Sequence, residues 1–131
     1  MKVVFTVLSL VFLLASCGGD KDYLVGNKTT MEVESVFDAG DVIKGEMVTA
    51  KFIIKNTGDY PLVIGDVVPA CSCTISDAPE EPIQPGGTGE VVAYINTDKV
   101  PAGVLHKSVR IVANTNPSVT EVIIKANVIR K

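Results

Sequence analysis

An all-β sandwich is the fold class that this 131-residue sequence predicts, and three observations predict it. Val and Ile occur 28 times after Cys17, whereas Leu occurs three times, at Leu24, Leu62 and Leu105. β-Branched side chains lose rotamer freedom in a helix and pack well on a pleated sheet. Apolar residues recur at period two, and no window carries a convincing i, i+3, i+4 stripe. Gly, Pro, Asn and Asp punctuate these runs at short intervals, as turns between strands require.

The first run, Met31 to Phe37, puts Met31, Val33 and Phe37 on one parity and Val36 on the other. Asp38 to Asp41 and Lys44 to Glu46 bracket a short piece around Val42 and Ile43. Val48, Ala50, Phe52 and Ile54 then alternate with Thr49, Lys51, Ile53 and Lys55, a half-buried strand. It ends at Asn56-Thr57-Gly58-Asp59, residues that accept positive φ or bond their own backbone. Pro61 opens the next strand, where its missing N–H is least harmful, and Leu62 to Val68 runs on to Pro69.

Thr74 to Ser76 is a further short strand, and Pro79 to Gly87, with three prolines and two glycines, is a stiff loop. From Glu90 to Ile95, Val91, Ala93 and Ile95 share a face, and Asp98 to Gly103 is another Pro/Gly loop. The closing pair is the strongest signal. Leu105, Val109, Ile111 and Ala113 share one face, Asn114 to Ser118 turns the chain, and Val122, Ile124, Ala126 and Val128 share another. Two alternating runs about a short turn predict an antiparallel hairpin. About seven strands in about 100 residues predict an immunoglobulin-like β-sandwich over residues 31–131, with a small barrel as the structural alternative. The chain has no Trp and no cysteines spaced to bridge two sheets, so packing must hold the layers together.

The N-terminus has a different logic. Lys2 supplies a positive head, and Val3 to Leu14 is an apolar run interrupted only by Thr6 and Ser9. That is short for a membrane span and suits the hydrophobic region of a signal peptide, expected over residues 1–16. Leu14-Ala15-Ser16-Cys17 resembles a bacterial lipobox, which makes Cys17 the lipidation site and the new N-terminus. Multiple acyl chains on Cys17 would meet the requirement for stable attachment to a lipid bilayer. Residues 17–30 show no period and read as a tether. The acidic flavour of Asp20-Lys21-Asp22 favours the outer membrane of a bacterial cell envelope as the address, with the periplasmic or surface side open.

Removal of the signal leaves 115 residues and moves the formal charge from -3 to -4, because Lys2 is lost from 12 basic residues while all 15 acidic ones stay. A weakly acidic chain with scattered Lys excludes nucleic acid as a natural partner. Export places the remaining cysteines in an oxidising compartment.

One stretch carries a resemblance. Phe52-x-Ile54-x-Asn56-x-Gly58-x-x-Pro61-Leu62-x-Ile64 is followed by Val67, Cys71-x-Cys73-Thr74, Pro82-Ile83-x-Pro85-Gly86 and Val109-x-Ile111-x-Ala113-Asn114. With the lipobox, these motifs resemble the lipoprotein family of domain of unknown function 1573 (DUF1573) over about residues 33–129. The resemblance implies an immunoglobulin-like, PapD-like sandwich related in shape to domains of chaperones and cilia-associated proteins. It brings no reaction, cofactor or substrate. The family's Ser-Cys-Gly-Cys-Thr centre reads Ala70-Cys71-Ser72-Cys73-Thr74 here, and Ser72 removes the free choice of φ that a glycine has.

Cys71 and Cys73 allow three readings. They are small buried hydrophobes, or a disulfide in a redox cycle, or two thiolates for a soft metal such as Cu or Zn. In an extended chain the two side chains share a face with Cα atoms about 6.5–7 Å apart, the upper edge of disulfide geometry, so a disulfide calls for a turn, expected at Pro69-Ala70. Zinc asks for four ligands, and only His106 and scattered acids are on offer. His106 follows the inward-facing Leu105 and is expected in solvent, which separates it from a cysteine–histidine pair. Glu80-Glu81 between prolines reads as solvated loop, and Gly86-Gly87-Thr88-Gly89 lacks the Lys and helix of a phosphate loop.

No catalytic constellation emerges, so the expected function is a non-enzymatic, lipid-anchored envelope module that binds another envelope protein, with exposed strand edges as the natural surface. The alternatives are soft-metal or thiol-redox handling at Cys71 and Cys73, and surface glycan binding. The last has only Tyr23, Tyr60 and Tyr94 to build a stacking platform.

Overall fold

The structure, a computed structural model, describes residues 26–131. The expected signal peptide, Cys17 and most of the tether lie outside the described residues. Eight strands form, one more than expected: β1 (Met31–Val33), β2 (Val36–Ile43), β3 (Met47–Asn56), β4 (Ile64–Pro69), β5 (Thr74–Asp77), β6 (Thr88–Asn96), β7 (Gly103–Ala113) and β8 (Val119–Ile129). A single 3-10 turn, Thr97–Lys99, lies where a plain loop was expected. The strands build two four-stranded sheets, β1-β3-β6-β5 and β2-β8-β7-β4. The expected β7–β8 hairpin is present, antiparallel from Gly103↔Val128 to Val112↔Val119.

The core is the sum of the inward parities. Along β3 exposed and buried residues alternate without a break from Met47 to Asn56. Val48, Ala50, Phe52 and Ile54 of β3 and Val91, Ala93 and Ile95 of β6 face Val109, Ile111, Val122, Ile124 and Val128 of the second sheet. Each fully buried Val, Ile or Phe contributes about 1.5–3 kcal/mol relative to exposure. Phe37 of β2 meets Phe52 of β3 edge-on, with ring centroids 6.2 Å apart, and so joins the two layers.

The expected first strand, Met31 to Phe37, is cut at Glu34-Ser35. Its first part pairs antiparallel with β3 in one sheet, and its second part pairs parallel with β8 in the other. Asp38 to Asp41 do not set off a separate piece around Val42 and Ile43. They form a bulge inside β2, where the register shifts and Gly40 takes φ +66°. Leu62 does not open β4. It makes an isolated bridge to Ile83, with both N–H groups donating at 2.8 Å, and β4 starts at Ile64. The tether expected through residue 30 is tied down before its end. Thr29 is buried, bridges Thr115 and donates its N–H to the Asn114 carbonyl at 2.9 Å.

Two asparagines, Asn56 buried and Asn114 half-buried, close the loop ends. Asn56 has no exposed surface. Its side-chain amide donates to the carbonyls of Tyr60 (2.7 Å) and Ile83 (2.8 Å), and its side-chain oxygen accepts from Thr29 Oγ1 (2.8 Å) and the Gly58 N–H (3.1 Å). Asn114 acts likewise at the end of β7, donating to the carbonyls of Pro61 (2.9 Å) and Asn27 (3.1 Å) and accepting from the Val63 N–H (2.7 Å). A buried amide with all its partners made fixes geometry because each lost bond leaves an unsatisfied group.

Three of the four edge strands, β2, β4 and β5, are guarded. Carboxylates turn back onto nearby N–H groups: Asp38 onto Gly40 (2.9 Å), Glu46 onto Ile43 (3.1 Å), Asp66 onto Val67 (2.8 Å) and Asp77 onto Ala78 (3.2 Å). Charge and capped donors along an edge discourage pairing with another chain.

Candidate functional site

The Cys71–Cys73 segment lies where the chain leaves the second sheet and enters the first. β4 holds its pairing to the end: Pro69 stands opposite Val109, and Ala70 donates its N–H to the Ser108 carbonyl at 3.0 Å. The turn comes after, and not at Pro69-Ala70 as expected. Thr74 donates its N–H to the Cys71 carbonyl at 3.2 Å, and the Asn96 N–H binds the Cys73 carbonyl at 3.1 Å. From Thr74 onward the chain is in register with β6 as β5. Ser76 then ties the two sheets together at this side by donating to the Val67 carbonyl at 3.0 Å.

Within this turn Cys71 and Cys73 form a disulfide, with their Cα atoms 5.3 Å apart. That separation falls well within the ordinary range for a disulfide, at whose upper edge an extended chain would lie. Both cysteines are half-buried, and Ser72 between them is exposed. Cys73 packs against the hydrophobic core. Thr74 is nearly fully buried, with 5% exposure, and its hydroxyl lies 3.6 Å from Cys71 Sγ and 3.8 Å from Cys73 Sγ. Bonded sulfurs carry no hydrogen, so the hydroxyl is the donor in either contact.

The bridge does little as a staple. It spans two positions of one turn and links no two strands. In the chain-entropy account a ring of about three residues gives about 1.6 kcal/mol, against about 3 kcal/mol for one of 15.

As a disulfide the pair offers no thiolate, so soft-metal binding at Cys71 and Cys73 would require its prior reduction. No group of three or more His, Cys, Asp or Glu is arranged to hold a metal among the described residues. His106 is exposed, as expected, and stands opposite Lys125 on the outer face of the second sheet. There it lines a shallow groove of about 210 Å³ with Asp38, Asp41 and Asn127, and no cysteine joins it. Glu80 and Glu81 are exposed loop residues.

A second surface emerges on the outer face of the first sheet, a feature the parity arguments passed over because they followed the inward side. Met47 (57% exposed) and Ile53 (54%) of β3 share it with Val92 and Tyr94 (36%) of β6. Cross-strand pairing sets Tyr94 opposite Thr49, and Val92 opposite Lys51. Lys51 Nζ lies 3.4 Å from Glu90 Oε1 beside this row, an exposed pair worth little to stability.

Comparison with known proteins bears on the whole domain. The family model described as "Protein of unknown function (DUF1573)" matches residues 30–128. The chain belongs to the DUF1573 family. No curated protein matches it in sequence. A crystal structure of a protein of unknown function from Porphyromonas gingivalis W83 is similar at TM-score 0.69 and 21% identity, covering 76% of this chain and 47% of that one. This DUF1573 chain thus spans about half the length of that structure.

The ASH/PapD-like domain 7 of human CEP192 is similar at TM-score 0.59 and 10% identity, over 79% of this chain and 88% of that one. The Vibrio cholerae VesB protease is similar at TM-score 0.59 and 9% identity, over 75% of this chain and 31% of that one. At these identities the likeness is one of fold, and the fold is the immunoglobulin-like, PapD-like sandwich expected from the sequence.

Proposed function

We propose that this DUF1573 chain is a non-enzymatic module, anchored by acyl chains on Cys17 in the bacterial cell envelope, that holds another envelope protein on the outer face of its first sheet. One observation carries the reading: Met47, Ile53, Val92 and Tyr94 present apolar surface on one sheet face. Apolar and aromatic groups on one face, interleaved with Thr49 and Lys51 and flanked by Glu90 and Lys55, have the make-up of a protein contact. Glycan stacking has less support, because Tyr60 and Tyr94 lie toward opposite ends of β3. The Asp20-Lys21-Asp22 stretch supports an outer-membrane address for the anchor.

The test is cross-linking in the living cell, with a photo-reactive side chain at position 94 or, as control, at position 127 on the other sheet. A discrete adduct at 94, absent at 127 and lost with Ile53→Lys, is the expected result. Equal adducts at both positions, or an adduct at 94 that Ile53→Lys leaves unchanged, would end the proposal. Cys17→Ala is expected to move the protein from the membrane fraction to the soluble one, and retention on the membrane would remove the anchor from the reading.

A further inference from the structure

Three facts single out the Cys71–Cys73 turn. The bonds that hold it, Ala70 to Ser108, Thr74 to Cys71 and Asn96 to Cys73, run between main-chain atoms and involve neither sulfur. The bridge links no two strands, so the pairing of neither sheet runs through it. The buried Thr74 hydroxyl stands 3.6 and 3.8 Å from the two sulfurs, held there by the pairing of Thr74 with Ile95. A bond that contributes little to the fold, next to an exposed residue and a ready hydrogen-bond donor, is arranged for exchange more than for support.

We propose that Cys71–Cys73 is a thiol–disulfide exchange site that takes two electrons from the dithiol of a partner protein, with Cys71 as the sulfur attacked and Thr74 as the residue that receives the departing thiolate. Both cysteines are half-buried, but Cys73 packs against the core and Cys71 does not, which leaves Cys71 as the sulfur open to attack. An incoming thiolate attacks Cys71 Sγ. A new S–S bond forms there, the Cys71–Cys73 bond breaks, and its electron pair leaves on Cys73, which then takes a proton. The second thiol of the dithiol loses its proton and attacks the partner sulfur of the mixed disulfide, releasing Cys71 as a thiolate that is protonated in turn. The dithiol ends as a disulfide, the pair as two thiols, and the two protons lost on one side are gained on the other.

A hydrogen bond to the thiolate favours the charged form, and a thiol of lower pKa leaves faster. Thr74 is therefore a positioning residue: it touches the leaving sulfur and takes no part in bond making.

The experiment uses the full-length chain carrying Cys17→Ser in detergent, so that the pair supplies the only cysteines. It is equilibrated with reduced and oxidised dithiothreitol, quenched by alkylation and weighed. Both cysteines are expected to become alkylated together while the circular dichroism of the sandwich is unchanged, at a rate indifferent to low urea. Cys71 in the Cys73→Ala variant is expected to form a mixed disulfide with a small aromatic disulfide about tenfold faster than Cys73 in the Cys71→Ala variant. Thr74→Val is expected to slow reduction about threefold to tenfold, and Thr74→Ser to restore it.

Reduction that accelerates with urea in step with unfolding would overturn the proposal. So would equal rates at the two single cysteines, or a Thr74→Val rate equal to that of the parent. If Thr74→Val does not fold, the comparison of the two single-cysteine variants decides alone.

Discussion

The side-chain amide of Asn56, at the end of β3, donates to the main-chain carbonyl of Ile83 at 2.8 Å, although the two residues are 27 apart in sequence. The same amide reaches Tyr60, and its oxygen takes Thr29 and Gly58, so one buried side chain fastens three loop segments to one strand end. Asn56→Ala is expected to lower stability by about 2–4 kcal/mol, because it leaves buried groups without partners. Asn56→Asp keeps the acceptor and loses the donor, setting a buried carboxylate against two carbonyls. Burial and those carbonyls raise its folded pKa above the unfolded value of about 4. Its stability is then greatest below about pH 4 and declines as pH rises to the folded pKa. Urea melts of both variants at several pH values check this.

Gly58 is needed for space. A Cβ there would stand 2.7 Å from the Thr30 amide nitrogen and also collide with the Thr29 hydroxyl. Gly58→Ala is expected to cost about 1–3 kcal/mol, the ordinary penalty for forcing atoms into a packed site. At Gly65 the nearest atom to an added Cβ is 3.7 Å away, so Gly65→Ala is expected to stay within about 0.5 kcal/mol of the parent. Thermal melts of the pair separate close approach from a general intolerance of alanine.

These two residues also show what a sequence reveals and what it conceals. Asn56 and Gly58 were legible as a turn, because both belong to the turn-forming set. Their tertiary duty was not, since Thr29 and Ile83 come from segments that no local rule connects to β3. The inward faces of β3, β6, β7 and β8 were legible because one buried side imposes strict alternation. The break at Glu34-Ser35 was not, because alternation reports which face is buried and not which sheet a strand joins. The bulge in β2 reads in the sequence as a break before Val42 for a related reason: Asp38, Gly40 and Asp41 suit either. For the cysteines, spacing alone left the disulfide undecided, and it took the turn placed after Pro69 to bring the Cα atoms to 5.3 Å.

The contact between Phe37 and Phe52 is a direct bond between layers, with rings at 66° and centroids 6.2 Å apart. Phe52 is 2% exposed, so Phe52→Ala is expected to cost about 3–5 kcal/mol through lost burial and the cavity left behind. Phe37 is half-buried and its truncation should cost less. In a double-mutant cycle the two are expected to couple by about 0.5–1.5 kcal/mol, the usual worth of an edge-to-face aromatic pair. Additive losses would show that Phe37 covers the core without a specific bond to Phe52.

Removal of the Cys71–Cys73 bridge separates a structural disulfide from one that serves another purpose. Loss of a native disulfide from a small exported domain typically costs about 2–5 kcal/mol, but those bridges close long loops or join distant strands. Here the ring spans two positions of one turn, and the neighbouring main-chain bonds to Ser108 and Asn96 involve neither sulfur. The double variant Cys71→Ala/Cys73→Ala, measured in the Cys17→Ser background, is therefore expected to lose about 1–2 kcal/mol in urea. Its dependence on denaturant should match the parent, because both unfold the same two sheets. A loss above about 4 kcal/mol, or a shallower denaturant slope, would mean that the bridge organises the crossing from β4 to β5. The main-chain bonds at the turn would then be its consequence and not its frame.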